Sequence, residues 1–419
     1  MDKKVKGSWL IHHTNKLQGV TNQSGYDNTY LAGKAGILLS AISANNSITV
    51  NNDRLDVLAR SANISKIELP TLIDVLEKQK LIDKSSGGVA VLGVTTTTAL
   101  QHTSDLFDSL EPQPNELASI AIAERASLSP ILTDDVKEEL GDTYKLASSE
   151  LTQLFTEAEQ IGFVDVEKIS NDQTLLFNGN LFRREATEKI KIVLDSLKSD
   201  EHIKLSELTE KLRKQACVDV TYAQQFLGVA LFQKVTAIGL FDISVVSNST
   251  ESVGFLTLPS AFSKYSNSMV EDAFDLAKAF VSSITYGMTK SSYERGQIQM
   301  VDALLSALVR GESVGPVSAI AEDYKVLELK GVVQVKHGSK KGRSGPMLTL
   351  LKQEIGELAL QAIRQGDVSE HSLQDLPTAA VTTFNGPEHN REKSRRTQIA
   401  MNPKATNDML SILRTGGGL

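Results

Sequence analysis

The sequence predicts a mainly helical α+β protein, a tandem array of about four small units, each of three helices closed by a β-hairpin. The first observation behind this is a repeated phrase of two apolar residues and an acid or amide. It occurs at Leu81-Ile82-Asp83, Phe163-Val164-Asp165, Leu240-Phe241-Asp242 and Val332-Val333-Gln334, and successive copies start 82, 77 and 92 residues apart. The second is the residue before it, which is Gly162, Gly239 or Gly331 in three copies and Lys80 in the first. The third is helical spacing upstream. An apolar residue stands five positions before each phrase (Leu76, Ala158, Val235, Leu327). Nine before stands leucine in three copies (Leu72, Leu154, Leu231) and Asp323 in the fourth. Self-similarity of this kind marks repeated structural units. Glycine ends a helix by taking a left-handed backbone conformation, and the apolar pair after it starts a strand that covers the core.

The elements follow in order. Residues 1–32 are polar and rich in Asn, Thr and Gly, and read as an N-terminal arm docked through Trp9. The first unit, 33–110, carries helices over 35–42, 53–62 and 66–80, then a hairpin turning at the Gly-rich segment that ends at Gly88. The second, 111–182, carries helices over 115–126, 133–140 and 148–161 and a hairpin from Phe163 turning at Asn171-Asp172. The third, 183–262, has helices over 185–197, 205–216 and 221–238 and a hairpin of 240–246 with 255–258. The fourth, 263–365, has helices over 297–309 and 317–330, a hairpin of 332–335 with 347–351, and extra helices over 269–286 and 353–364. Residues 366–419 lose the apolar pattern and read as a flexible polar and basic tail ending in Gly416-Gly417-Gly418-Leu419.

Three helices, a glycine stop and a two-stranded wing resemble the winged-helix superfamily over roughly residues 33–365. The resemblance is one of fold. It implies a tandem winged-helix protein, and such folds serve both DNA binding and protein assembly.

Length, charge and cysteine content bound the role. A chain of 419 residues exceeds one core and fits three or four domains. No apolar run is long enough for a spanning helix, and the N-terminus lacks the apolar stretch of a signal peptide. The single cysteine, Cys217, forms no internal disulfide, which favours a cytoplasmic protein and a structural thiol. A net charge of −7 argues against nucleic acid wrapped along the whole chain but leaves room for a local basic patch.

No phosphate-cradling loop, dinucleotide fingerprint, zinc-protease motif or serine elbow is present, so no catalytic residues and no cofactor are expected. His12-His13 are vicinal, point in different directions and are not expected to bind a metal. The electrostatic outlier is the fourth hairpin: Lys330, Lys336, His337, Lys340, Lys341 and Arg343 lie within fourteen positions with no acid between them. Gly331, Gly338, Gly342 and Gly345 make this a flexible loop able to approach an anion. A second basic cluster, Arg391, Lys393, Arg395 and Arg396, lies in the tail.

The third helices look unsuited to reading bases. Glu150, Glu157 and Glu159 crowd the second, and Glu322, Asp323 and Glu328 the fourth; only the third, with Gln224, Gln225, Gln233 and Lys234, is neutral. The expected function is therefore non-enzymatic nucleic-acid binding, DNA first, through the fourth wing. The alternative is an assembly subunit that uses its winged helices for protein contacts.

Overall fold

The computed structural model describes residues 1–18, 20, 25–44, 49–169, 173–182, 184–247, 252–265, 271–290 and 297–366. They divide into two compact units, Met1–Thr187 and, among the described residues, 188–366.

The first unit opens with α1 (Lys3–Leu17), α2 (Asp27–Ser43), α3 (Asn52–Ser61), α4 (Glu68–Lys78), β1 (Ile82–Ser85), β2 (Gly88–Val91) and α5 (Thr96–Ser109). It continues with α6 (Pro114–Ala126), β3 (Ile131–Leu132), α7 (Thr133–Tyr144), α8 (Ser148–Ile161), β4 (Asp165–Lys168) and β5 (Thr174–Phe177). Helix α9 (Arg184–Asp195) crosses the division.

The second unit holds α10 (Ser199–Gln215), β6 (Cys217–Asp219), α11 (Val220–Leu227), α12 (Val229–Ala237), β7 (Asp242–Ser247) and β8 (Ser252–Thr257). Then come α13 (Pro259–Ser263), α14 (Glu271–Thr289), α15 (Val301–Val309), α16 (Ala319–Asp323), α17 (Lys325–Leu329), β9 (Val333–Lys340), β10 (Arg343–Leu350) and α18 (Gln353–Gln365).

The architecture is mainly helical with small antiparallel sheets, and one order occurs four times: helix, short extended segment, two helices, hairpin. The extended segment pairs with the second hairpin strand each time. It is β3 on β5, β6 on β8, and single bridges Val50–Val89 and Val314–Leu348 in the first and fourth copies. None of these segments is foreseen from composition or spacing, for they are at most three residues long.

The repeated phrase has a common structure. The N–H of its first residue donates to the carbonyl five residues back: Leu81 to Leu76 at 3.0 Å, Phe163 to Ala158 at 2.8 Å, Leu240 to Val235 at 3.1 Å and Val332 to Leu327 at 2.8 Å. The four accepting residues are all buried. The residue before the phrase is left-handed in each copy, with φ of 58° at Lys80, 83° at Gly162, 79° at Gly239 and 64° at Gly331. This closure satisfies helix-end carbonyls and turns the chain so that the apolar pair enters the core.

Four expectations need correction. The N-terminal segment 1–32 docks through Trp9 as expected, but its described residues are mostly helical and part of the first unit's core, not an arm. Asp2 caps α1 by accepting from Lys4 N at 2.9 Å, and Trp9 is fully buried with Nε1 donating to Glu124 Oε2 at 2.6 Å. Helices α1, α2 and the unforeseen α5 pack closely together. A Cβ on Gly7 would collide with the Leu100 carbonyl, and one on Gly33 or Gly36 with Thr14 or Thr103, so small residues set the contact. Such a seam of Gly, Ser, Thr and Ala carries little hydrophobic periodicity.

Second, the expected helix 221–238 is two helices broken at Gly228, and 317–330 is broken at Tyr324. Third, the fourth hairpin is no flexible loop: its strands stay paired to Lys340 and Arg343. Fourth, the third and fourth repeats share one hydrophobic core. Phe274, Ala277, Phe280, Val281 and Ile284 of α14 join residues of both.

Candidate nucleic-acid interface

The fourth hairpin is built around a two-residue turn. Lys341 and Gly342 both have positive φ, 52° and 73°, and Lys340 pairs with Arg343 across the ladder. Two left-handed residues give the turn whose twist matches that of paired strands. Register then fixes the charges, because side chains alternate between faces and cross-strand partners share one. Lys336, Lys340 and Arg343 fall on one face, His337 on the other, and Lys341 at the tip. Four residue steps along the strand separate Lys336 from Lys340 by about 13 Å.

The root of the hairpin is anchored. Val333, Met347, Leu348 and Leu350 are buried, and Leu348 exchanges both backbone hydrogen bonds with Val314 at 2.9 Å. Beyond the root, Lys336, His337, Lys340, Lys341 and Arg343 are all exposed. Lys340 Nζ donates to the Ser313 carbonyl at 3.0 Å, which steadies the side chain without neutralising it. Among the described residues no carboxylate forms an ion pair with Lys336, Lys340, Lys341 or Arg343. The first hairpin differs, for its Lys84 meets Asp74 at 3.1 Å. Four uncompensated cations on a braced two-stranded projection suit polyanion phosphates better than a single carboxylate. Lys330 lies apart from them, at the end of α17.

The third helix of the fourth repeat carries exposed apolar side chains. In α17, Val326 is 49% exposed and Leu329 86% exposed. Neither is marked in the sequence. The glutamines expected on one third helix are divided: Gln224 and Gln225 lie on α11, Gln233 and Lys234 on α12. Glu150 and Glu159 on α8, and Asp74 and Glu77 on α4, are acids at the surface. Arg391, Lys393, Arg395 and Arg396 lie outside the described residues.

The remaining candidate groups are core residues. His13 is fully buried and stacks on Phe163 at 3.8 Å between ring centroids, with neither ring nitrogen hydrogen-bonded. Burial first, then the His12 and Lys16 charges, push its pKa well below the ordinary value. Cys217 is buried, with Sγ 3.0 Å from Thr285 Oγ1, and burial pushes the thiol up to about 12. A thiol that far from ionisation is a poor nucleophile. Among the described residues no three His, Cys, Asp or Glu side chains converge as metal ligands, and no helix is long and apolar enough to cross a membrane. No protein-family model matches this chain, and no curated protein sequence matches it either.

Proposed function

We propose that this protein is a non-enzymatic tandem array of four winged-helix units that binds nucleic acid, DNA first, through the wing of the fourth. The fold part rests on the fourfold order of helix, extended segment, two helices and hairpin, with the segment paired to the second hairpin strand. The binding part rests on one observation: Lys336, Lys340, Lys341 and Arg343 project together on a rigid hairpin without ion-pair partners among the described residues. Their work is phosphate neutralisation, which gives affinity and placement with weak sequence preference. The surface acids on α4 and α8 keep those helices from a phosphate wall. We place the protein in the cytoplasm, where a single buried thiol stays reduced.

The test is fluorescence anisotropy with a labelled DNA duplex. The variant carrying Lys336→Ala, Lys340→Ala, Lys341→Ala and Arg343→Ala should lose most affinity, and Lys84→Ala in the first hairpin should keep it. Equal loss from both would assign binding to net charge and reject the fourth wing.

A second reading, an assembly subunit, is favoured by the exposed Val326 and Leu329 of α17. It predicts a protein partner purified in fixed ratio whose contact is weakened by Leu329→Glu.

A further inference from the structure

The fourth repeat departs from the others in its core. Nine and eight positions before the repeated phrase, the first three repeats carry apolar pairs: Leu72-Ile73, Leu154-Phe155 and Leu231-Phe232. All six side chains are buried. The fourth repeat carries Asp323-Tyr324 at these places, and each is only 5% exposed. A carboxylate and a phenol in core positions are costly unless something polar meets them.

Both line one cavity of about 240 Å³, together with Ile298, Val314, Ile320 and Leu348. Gly287 of α14 forms part of the wall. A Cβ there would stand 2.6 Å from Ile298 Cδ1 and 3.9 Å from the Tyr324 hydroxyl, which places that hydroxyl at the lining. No described residue hydrogen-bonds the hydroxyl, and burial and the Asp323 charge hold it protonated, as a donor. Asp323 has other interactions. A carboxylate has about four acceptor sites, so a first interaction does not saturate it.

We infer that this cavity binds a small planar amide, a ring carrying a carbonyl oxygen beside an N–H. The carbonyl accepts from Tyr324 Oη, the N–H donates to Asp323, and the ring lies against Ile298, Val314, Ile320 and Leu348. Size agrees. An apolar cavity of about 150 Å³ takes benzene, and the larger volume here admits a ring with a short substituent. The Asp323 charge selects against carboxylates of the same shape.

The inference is independent of nucleic-acid binding, and its test contains no nucleic acid. Benzamide is titrated into the full chain by calorimetry, with benzoate as the charged comparison. Benzamide should bind saturably at one site with a dissociation constant of about 1 mM or tighter, and benzoate at least tenfold more weakly. Tyr324→Phe keeps the ring, and should weaken benzamide about tenfold. Asp323→Leu restores what the other three repeats carry. It should abolish binding and raise the melting temperature, which also shows that the variant folds. No saturable heat with benzamide, equal affinity for benzoate, or unchanged benzamide affinity in Asp323→Leu would each overturn the proposal.

Discussion

Lys80 occupies a place where the other three repeats have glycine, and it adopts the same left-handed backbone, φ 58°. Lys80→Gly should therefore stabilise the first unit. A left-handed residue with a Cβ costs about 1–2 kcal/mol. Glycine gains unfolded-state freedom worth about 0.4–1 kcal/mol, which offsets part of the relief. The net is a gain of about 0.5–1 kcal/mol. Lys80 is exposed, and its side chain forms no hydrogen bond or ion pair with a described residue that glycine would remove. Gly162→Ala is the mirror experiment in the same unit. The nearest atoms to a Cβ there lie 3.9 Å away, on Lys16, so backbone strain is the whole effect, with the same size and opposite sign. The assay is urea unfolding followed by fluorescence of Trp9, the only tryptophan in the chain and a core residue of this unit. With a slope of about 2 kcal/mol per M, the midpoint should rise by about 0.3–0.5 M for Lys80→Gly and fall equally for Gly162→Ala. A lower midpoint for Lys80→Gly would refute the view that one helix stop operates in all four repeats.

Other perturbations test other parts. Asp242 and Lys278 form a buried ion pair at 2.7 Å, so Lys278→Ala should cost about 3–5 kcal/mol in the unfolding of the second unit by circular dichroism, and Asp242→Asn with Lys278→Met should recover much of it. Folding lowers the pKa of His13 below 6.5, so the unfolded chain takes up that proton first. Stability of the first unit is thus complete above pH 6.5 and falls below it, by at most about 1.4 kcal/mol per pH unit. His13→Leu should flatten the Trp9 unfolding midpoint between about pH 7 and 5, read against wild type, to the contribution of other groups. Gly33→Val should separate α1 from α2, since even a Cβ there collides with Thr14, and the midpoint should drop by the equivalent of at least about 1 kcal/mol.

What was legible in the sequence follows from which forces leave a pattern. The leucines of α4, α8 and α12 repeat at helical spacing because each helix buries one face, and a left-handed stop selects glycine. Those two signals and the repeated apolar pair place the hairpins, although Lys80 stands for glycine in the first repeat and Asp323 for leucine in the fourth. Helices α1 and α5 were illegible because Gly7, Ser8, Thr14, Thr103 and Ser104 bury as well as leucine does when helices approach closely. Segments such as Ile131–Leu132 are too short to show alternation. The cation cluster of the fourth hairpin was visible as composition. Its arrangement was not, because Lys336 to Lys340 contains no apolar residue to mark a strand, and pairing there follows from the Lys341-Gly342 turn. Asp323 was visible as a broken pattern, but only packing shows that it lines a cavity with Tyr324.

The most direct measurement of the central claim is the salt dependence of duplex binding by wild type and by the four-alanine hairpin variant. Each phosphate left without its cation should reduce the slope of log affinity against log salt by about 0.9, so the variant should be shallower by about 3–4. Equal slopes for the two proteins would contradict phosphate neutralisation by Lys336, Lys340, Lys341 and Arg343.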